Sequence, residues 1–183
     1  MKASDFRLDI YKLTYTAEVN QRYYQLKYTS MWRWDKIIKV SVAALAMLAT
    51  VCVFLPHEYK MLEFAIAFLA AILAIVLNVI PIGEWMVEHG EKCRCWNDLY
   101  ICADKLRMMT RDIPDDESVP SYLLDHLHDL GAKQYQLDDE HTGDEALLGR
   151  CQEDVNQRMY GGNVRTYEEA VAEHARRSGD IHA

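Results

Sequence analysis

The sequence predicts an all-α membrane protein: a two-helix transmembrane hairpin, a cytoplasmic helical stalk and a small helical C-terminal region. Three observations predict it. Two near-continuous apolar runs, Ile37 to Leu55 and Phe64 to Ile80, lie close together. Only a short polar turn, Pro56-His57-Glu58-Tyr59-Lys60, separates them. Long helical stretches flank the pair, Asp5 to Lys36 before it, with no internal Pro or Gly, and Glu84 to Arg111 after it.

The first run contains only Lys39, Ser41 and Thr50 as polar residues. About 19 residues rise about 29 Å as a helix, close to the hydrocarbon thickness of a bilayer. Lys39 sits less than one turn from the start, where its stem can snorkel to the headgroups. The second run has Asn78 as its one polar residue and extends back to Met61 and forward to Ile82. The short turn makes the two helices antiparallel neighbours. A buried hairpin inside a soluble protein is the alternative, but the remaining chain is too short and polar to cover two such runs.

Lys and Arg bias sets the orientation. Arg22, Lys27, Arg33, Lys36 and Lys39 precede or open the first span, and Lys92, Arg94, Lys105 and Arg107 follow the second. The turn carries only Lys60. Both termini are therefore expected in the cytoplasm. Trp32, Trp34 and Trp85 fall at the cytoplasmic interface and Tyr59 at the opposite one, as in aromatic belts. The expected divisions are a cytoplasmic N-terminal helix over residues 1–36, the hairpin over 37–82, a stalk helix over 83–111 and an acidic helical region over 112–183.

Small residues let helices approach closely in lipid. Ala67, Ala71 and Ala74 share one face of the second span, with Asn78 four residues on and Ala70 widening it. Ala46 and Thr50 form a small-xxx-small pair in the first span. These faces can pack the hairpin on itself, or they can pack neighbouring copies around an axis with Asn78 lining a pore. Two helices per chain cannot enclose an aqueous path, so a pore requires an oligomer. Pro81 and Gly83 form the exit, which serves as a gating hinge or as a simple redirection of the chain.

Leu13, Ala17, Tyr24 and Met31 fall near heptad spacing in the N-terminal helix, whose apolar face reads as weak. That helix is expected to continue into the first span. Glu84 to Arg111 carries a clear stripe of Trp96, Leu99, Ala103 and Leu106, able to pack against the N-terminal helix or against other copies. Pro114 and acidic residues break the pattern between Asp112 and Ser118. Short helices are expected over Ser121 to Leu130, ending at Gly131, over Asp144 to Tyr160, and over Thr166 to Arg177. The last opens with a capping box, Thr166 with Glu169.

The formal net charge is −8, most of it in the C-terminal half, which disfavours nonspecific nucleic-acid binding there. The five cysteines do not form a disulfide framework and are expected as reduced thiols. His89 and Cys93 share a helix face, but Cys95 points away, so one helix cannot complete a tetrahedral zinc site. Asp125, His126, His128 and Asp129, with Asp138 to His141 later, read as solvated charges rather than a metal or proton-transfer site. A phosphate loop, a nucleophile elbow and HExxH are all absent from the sequence. No enzyme activity, no metal and no cofactor are expected.

In layout the chain resembles the SLATT-like two-transmembrane effectors of bacterial anti-phage defence. Tyr24 to Trp34 leading into Ile37 to Leu55, then Phe64 to Ile82, then Glu84 to Arg111 carry the resemblance over about the first 110 residues. The resemblance implies a toxin that oligomerises and permeabilises or depolarises the inner membrane when a cytoplasmic sensor releases or triggers it. It also implies a partner: a reverse transcriptase with its RNA–DNA hybrid, as in retrons, or a nucleotide-second-messenger system. The acidic tail suits a basic protein surface better than naked nucleic acid. A membrane anchor that recruits a cytoplasmic partner through the C-terminal region is the alternative function.

Overall fold

The computed structural model describes residues 1–52, 60–138, 144–160 and 166–180. Among them the chain is all-helical, in the order α1 (Ala3–Cys52), α2 (Lys60–Val79), α3 (Ile82–Met109), α4 (Ser121–Leu137), α5 (Glu145–Tyr160) and α6 (Tyr167–Asp180). The turn residues Pro56 to Tyr59 and the acidic run Asp139 to His141 lie outside the described residues. The chain divides into two compact units, one of residues 1–25 and 91–183 and the other of 26–90.

The first unit has a conventional core. The α3 stripe Trp96, Leu99, Ala103 and Leu106 is buried. It joins one apolar cluster with Phe6, Ile10, Leu13 and Ala17 of α1, Leu123 and Leu130 of α4, and Val155 of α5. The N-terminal face of α1 is thus not weak. Its 3–4 spacing is filled by tyrosines, and Tyr11, Tyr15, Tyr23 and Tyr24 are buried with it. Phenol rings contribute apolar area once their hydroxyls find partners, and those partners lie far along the chain.

The start of α1 is tied to the α3–α4 connection. A helix leaves its first N–H groups without internal partners. Here Ala3 N donates to Glu117 O at 3.0 Å and Ser4 N to Asp115 O at 3.3 Å. Val119 N returns a bond to Met1 O at 3.2 Å, and Lys2 and Ser118 form an isolated antiparallel bridge. The Arg7 guanidinium adds a fork: it pairs with Asp115 and donates to Thr110 O and Ile113 O. The segment that Pro114 excludes from a helix therefore serves as the N-terminal cap of α1.

α4 runs through Gly131 rather than ending there. The reason is the stripe Leu123, Leu127, Leu130, Gln134 and Leu137, which stays buried or half-buried past the glycine. Glycine inside a helix costs about 1 kcal/mol, which continued packing offsets. The capping box forms in both directions: Thr166 N donates to Glu169 Oε2 and Glu169 N to Thr166 Oγ1, each at 3.2 Å.

In the second unit, α2 stops at Val79. Ile80 N still donates to Val76 O at 3.0 Å, and Trp85 N donates to Pro81 O at 3.1 Å. The break is therefore confined to residues 80–81, with Pro81 opening the next helix where its missing N–H is harmless. Gly83 lies inside α3, and a Cβ there would meet nothing within 4 Å. Replacing Gly83 with alanine should leave stability unchanged or raise it by up to about 1 kcal/mol. Loss of helix by circular dichroism in that variant would show that the glycine bends the chain.

Candidate membrane surface

The second unit keeps its apolar residues outside. Met61, Phe64, Phe68, Ile75 and Val79 of α2 are all exposed, Met61 at 84 % and Val79 at 72 %. On α1, Ile37, Val40, Met47, Leu48 and Val51 are exposed as well. Soluble monomers rarely show contiguous apolar patches beyond a few hundred Å². An all-round apolar helix with no protein cover has lipid as its natural solvent.

Among the described residues, one helix is long and apolar enough by itself to cross a bilayer: α2, with a mean hydropathy of 2.5 and none of that window buried. The expected first span reaches Leu55, but the described part of α1 ends at Cys52. A bilayer-length window ending there takes in Asp35, Lys36 and Lys39.

Half-buried positions trace one stripe on each helix: Ile38, Val42, Leu45 and Ala49 on α1, and Ile66, Ala70, Leu73 and Leu77 on α2. This is a 3–4 pattern on both, so the less exposed positions of each helix share one face. Ala67, Ala71 and Asn78 stand exposed beside the α2 stripe, and Ala74 is half-buried. In the single chain, Asn78 Nδ2 donates to Ala74 O at 3.0 Å, and Thr50 Oγ1 donates to Ala46 O at 2.9 Å. Both polar side chains thus return a bond to their own helix. Of the expected small-residue face, Ala67, Ala71 and Asn78 are thus exposed, whereas Ala70 and Ala74 are half-buried.

Where the apolar surface ends, side chains of mixed character begin. Lys36 Nζ lies 3.7 Å over the Trp32 ring, and Lys39 pairs with Asp35 at 2.7 Å. Trp32, Trp34 and Trp85 are exposed. Exposed indoles beside cations are what the headgroup layer accommodates.

No protein-family model matches the chain, and no curated protein or solved structure is similar to it.

The other candidate groups are dispersed. Asp125, His126, His128 and Asp129 are exposed on α4. Among the described residues, no three His, Cys, Asp or Glu side chains come close enough to share a metal ion. Cys93 donates to Gln21 O at 3.6 Å, and burial pushes its thiol pKa up, as it does for Cys151. A raised pKa leaves less thiolate at neutral pH.

The residues that sequence reasoning missed form a polar aromatic joint in the first unit. Tyr15 donates to Asn156 Oδ1 at 2.8 Å. Tyr160 donates to Ala170 O at 3.2 Å, which leaves Tyr11 to donate to the Tyr160 hydroxyl. Burial, followed by the bond to Tyr160, raises the Tyr11 pKa, and burial pushes Tyr15 up to about 12. Both phenols therefore remain protonated donors. Arg158 pairs with Glu18 and Arg22 with Asp154, each at 3.0 Å, fixing α5 to α1 at its rim. The tyrosine spacing was visible in the sequence, but nothing there gave the partners.

His174 stacks on Tyr11, with ring centroids 3.8 Å apart and planes 4° from parallel. Burial lowers its pKa, and the nearby Arg107 lowers it further. The detached form therefore binds the proton more readily than the docked form. Docking of α6 should be fullest above the ordinary histidine value of about 6.5 and should weaken as pH falls below it. Protection of α6 amides, after division by the intrinsic exchange rate at each pH, should fall between about pH 7 and about pH 5, and His174→Phe should flatten that profile. A profile unchanged by the substitution would remove His174 from the effect.

Proposed function

We propose that the chain is a two-span membrane effector: a toxin of a bacterial anti-phage defence system that assembles in the inner membrane and permeabilises or depolarises it. The observation that carries the membrane part is the uncovered apolar surface of residues 37–52 and α2. Ile37 to Leu55 makes the first crossing and Phe64 to Ile82 the second, with both termini in the cytoplasm. This orientation rests on the Lys and Arg bias around the runs. The defence role rests on the resemblance in layout to SLATT-like effectors.

A single hairpin cannot enclose water, so the active form is an oligomer. Ala67, Ala71, Ala74 and Asn78 supply its helix contacts, since small residues and one amide on an outward face suit close packing in lipid. Pro81 and Gly83 mark where the spans give way to the cytoplasmic helix. The trigger is a cytoplasmic partner, either a reverse transcriptase with its RNA–DNA hybrid or a nucleotide-second-messenger system. All of the net charge of −8 sits outside residues 26–90, where Lys and Arg number 15 and Asp and Glu 23. That surface favours a partner with a basic face.

Expression in a bacterial cell carrying a potential-sensitive dye tests the reading. Release from the partner should collapse the membrane potential within minutes, and Asn78→Leu should change the current. Unchanged potential and growth on release would rule the effector out. The second reading, an anchor that recruits a partner, is favoured by the self-contained core of the first unit. It expects any apolar hairpin to substitute for residues 37–82 without loss of function, whereas the effector reading expects that chimaera to be inert.

A further inference from the structure

Where its uncovered apolar surface begins, α1 presents two cations side by side. Arg33 and Lys36 are both exposed. Three residues apart on a helix, they are neighbours on one face. Neither meets a carboxylate among the described residues. Asp35, the carboxylate between them in the sequence, pairs with Lys39 instead, at 2.7 Å. Lys36 Nζ lies 3.7 Å over the Trp32 ring, a contact that steadies the ammonium without neutralising it.

One turn further on, the same face is apolar. Ile37 and Val40 lie four residues beyond Arg33 and Lys36, and Ala44 and Met47 continue the lane, all four exposed. From Lys36 to Met47 a helix rises about 16 Å, roughly the hydrocarbon depth of one leaflet. The lane thus has a doubly cationic head followed by one leaflet of apolar surface. That order matches a lipid whose headgroup is net negative. Its phosphate offers charged acceptors to a guanidinium and an ammonium, and its chains need apolar cover. A zwitterionic headgroup carries its own cation beside the phosphate and competes with the protein for it.

We propose that Arg33 and Lys36 hold the phosphate of an anionic phospholipid of the cytoplasmic leaflet, with its chains along Ile37, Val40, Ala44 and Met47. The inference rests on the two-span reading above and adds a lipid to it as a specific ligand.

Tryptophan fluorescence of the full chain in lipid nanodiscs tests the site. The discs are phosphatidylcholine containing a minor fraction of chain-brominated phosphatidylglycerol or, in the second arm, of chain-brominated phosphatidylcholine. Trp32 and Trp34 flank Arg33, so a brominated lipid held there quenches them. Two surface cations enrich an anionic lipid on the order of 10-fold, and phosphatidylglycerol should quench correspondingly more than an equal fraction of phosphatidylcholine. Arg33→Gln combined with Lys36→Gln should abolish the preference, whereas Lys39→Gln should leave most of it. Equal quenching by the two lipids in an incorporated chain would overturn the site and leave the two-span reading. A preference that survives the double substitution would overturn the assignment to Arg33 and Lys36. As large a loss with Lys39→Gln would mean diffuse attraction and would overturn the site too. A chain that does not enter the discs would overturn the membrane reading and the site with it.

Discussion

Replacing Ile75 with arginine is expected to remove most of the chain from the membrane fraction. Ile75 lies in α2 and is 61 % exposed. On a soluble protein, an exposed apolar residue changed to arginine alters stability by less than about 0.5 kcal/mol and improves solubility. In the middle of a span the same change costs about 2.5–3.5 kcal/mol on insertion, roughly two orders of magnitude in the partition between membrane and water. The two outcomes differ in sign as well as size. Fractionation followed by alkaline extraction reads them directly. Phe68→Arg, also exposed on α2, should behave alike, whereas Ile101→Arg on the exposed side of α3 in the first unit should not.

Trp96→Ala should unfold the first unit while leaving the chain in the membrane. Trp96 has no exposed surface and sits in the α3 stripe that α1 covers. Deleting a buried aromatic side chain costs about 3–5 kcal/mol, a large share of the 5–15 kcal/mol that holds a domain together. Limited proteolysis should then cut freely within α4 and α5, where the native chain is expected to resist. Membrane association should persist, because the exposed apolar surface of the second unit contains none of this core. Protease resistance equal to the native chain would mean that the stripe is not the centre of the unit.

The sequence shows its apolar runs plainly, because a near-continuous run is recognised from its own residues without any distant partner. The α3 stripe was equally legible, since Trp96, Leu99, Ala103 and Leu106 keep strict 3–4 spacing. The strength of α1 was not. Its face is built from tyrosines and includes buried Thr14 and Asn20, residues whose burial depends on hydrogen-bond partners that local pattern does not reveal. Thr14 Oγ1 finds Ile10 O at 2.7 Å on its own helix, but Tyr15 needs Asn156, 141 positions away. The end of α4 was misplaced for the opposite reason. Gly131 is a local breaker, but the apolar stripe continues beyond it, and packing outweighs one glycine.

The candidate faces divide in the same way. Ala67, Ala71 and Asn78 are legible as a small-residue face and do stand outside the half-buried stripe of α2. The aromatic joint that holds α6 could not be read, because its chemistry is a relay from Tyr11 through the Tyr160 hydroxyl to the carbonyl of Ala170, on distant helices. The capping box at Thr166 was readable because both partners lie within four residues.

Topology mapping with a membrane-impermeant maleimide tests most directly the claim that residues 37–82 cross the membrane twice. Single cysteines are placed at Lys60, between the apolar runs, and at Asp112, beyond α3, in a chain without its native cysteines. In intact cells with a permeable outer membrane, Lys60→Cys should label, and Asp112→Cys should label only after the inner membrane is opened. Labelling of both positions from outside, or of neither, would contradict the hairpin.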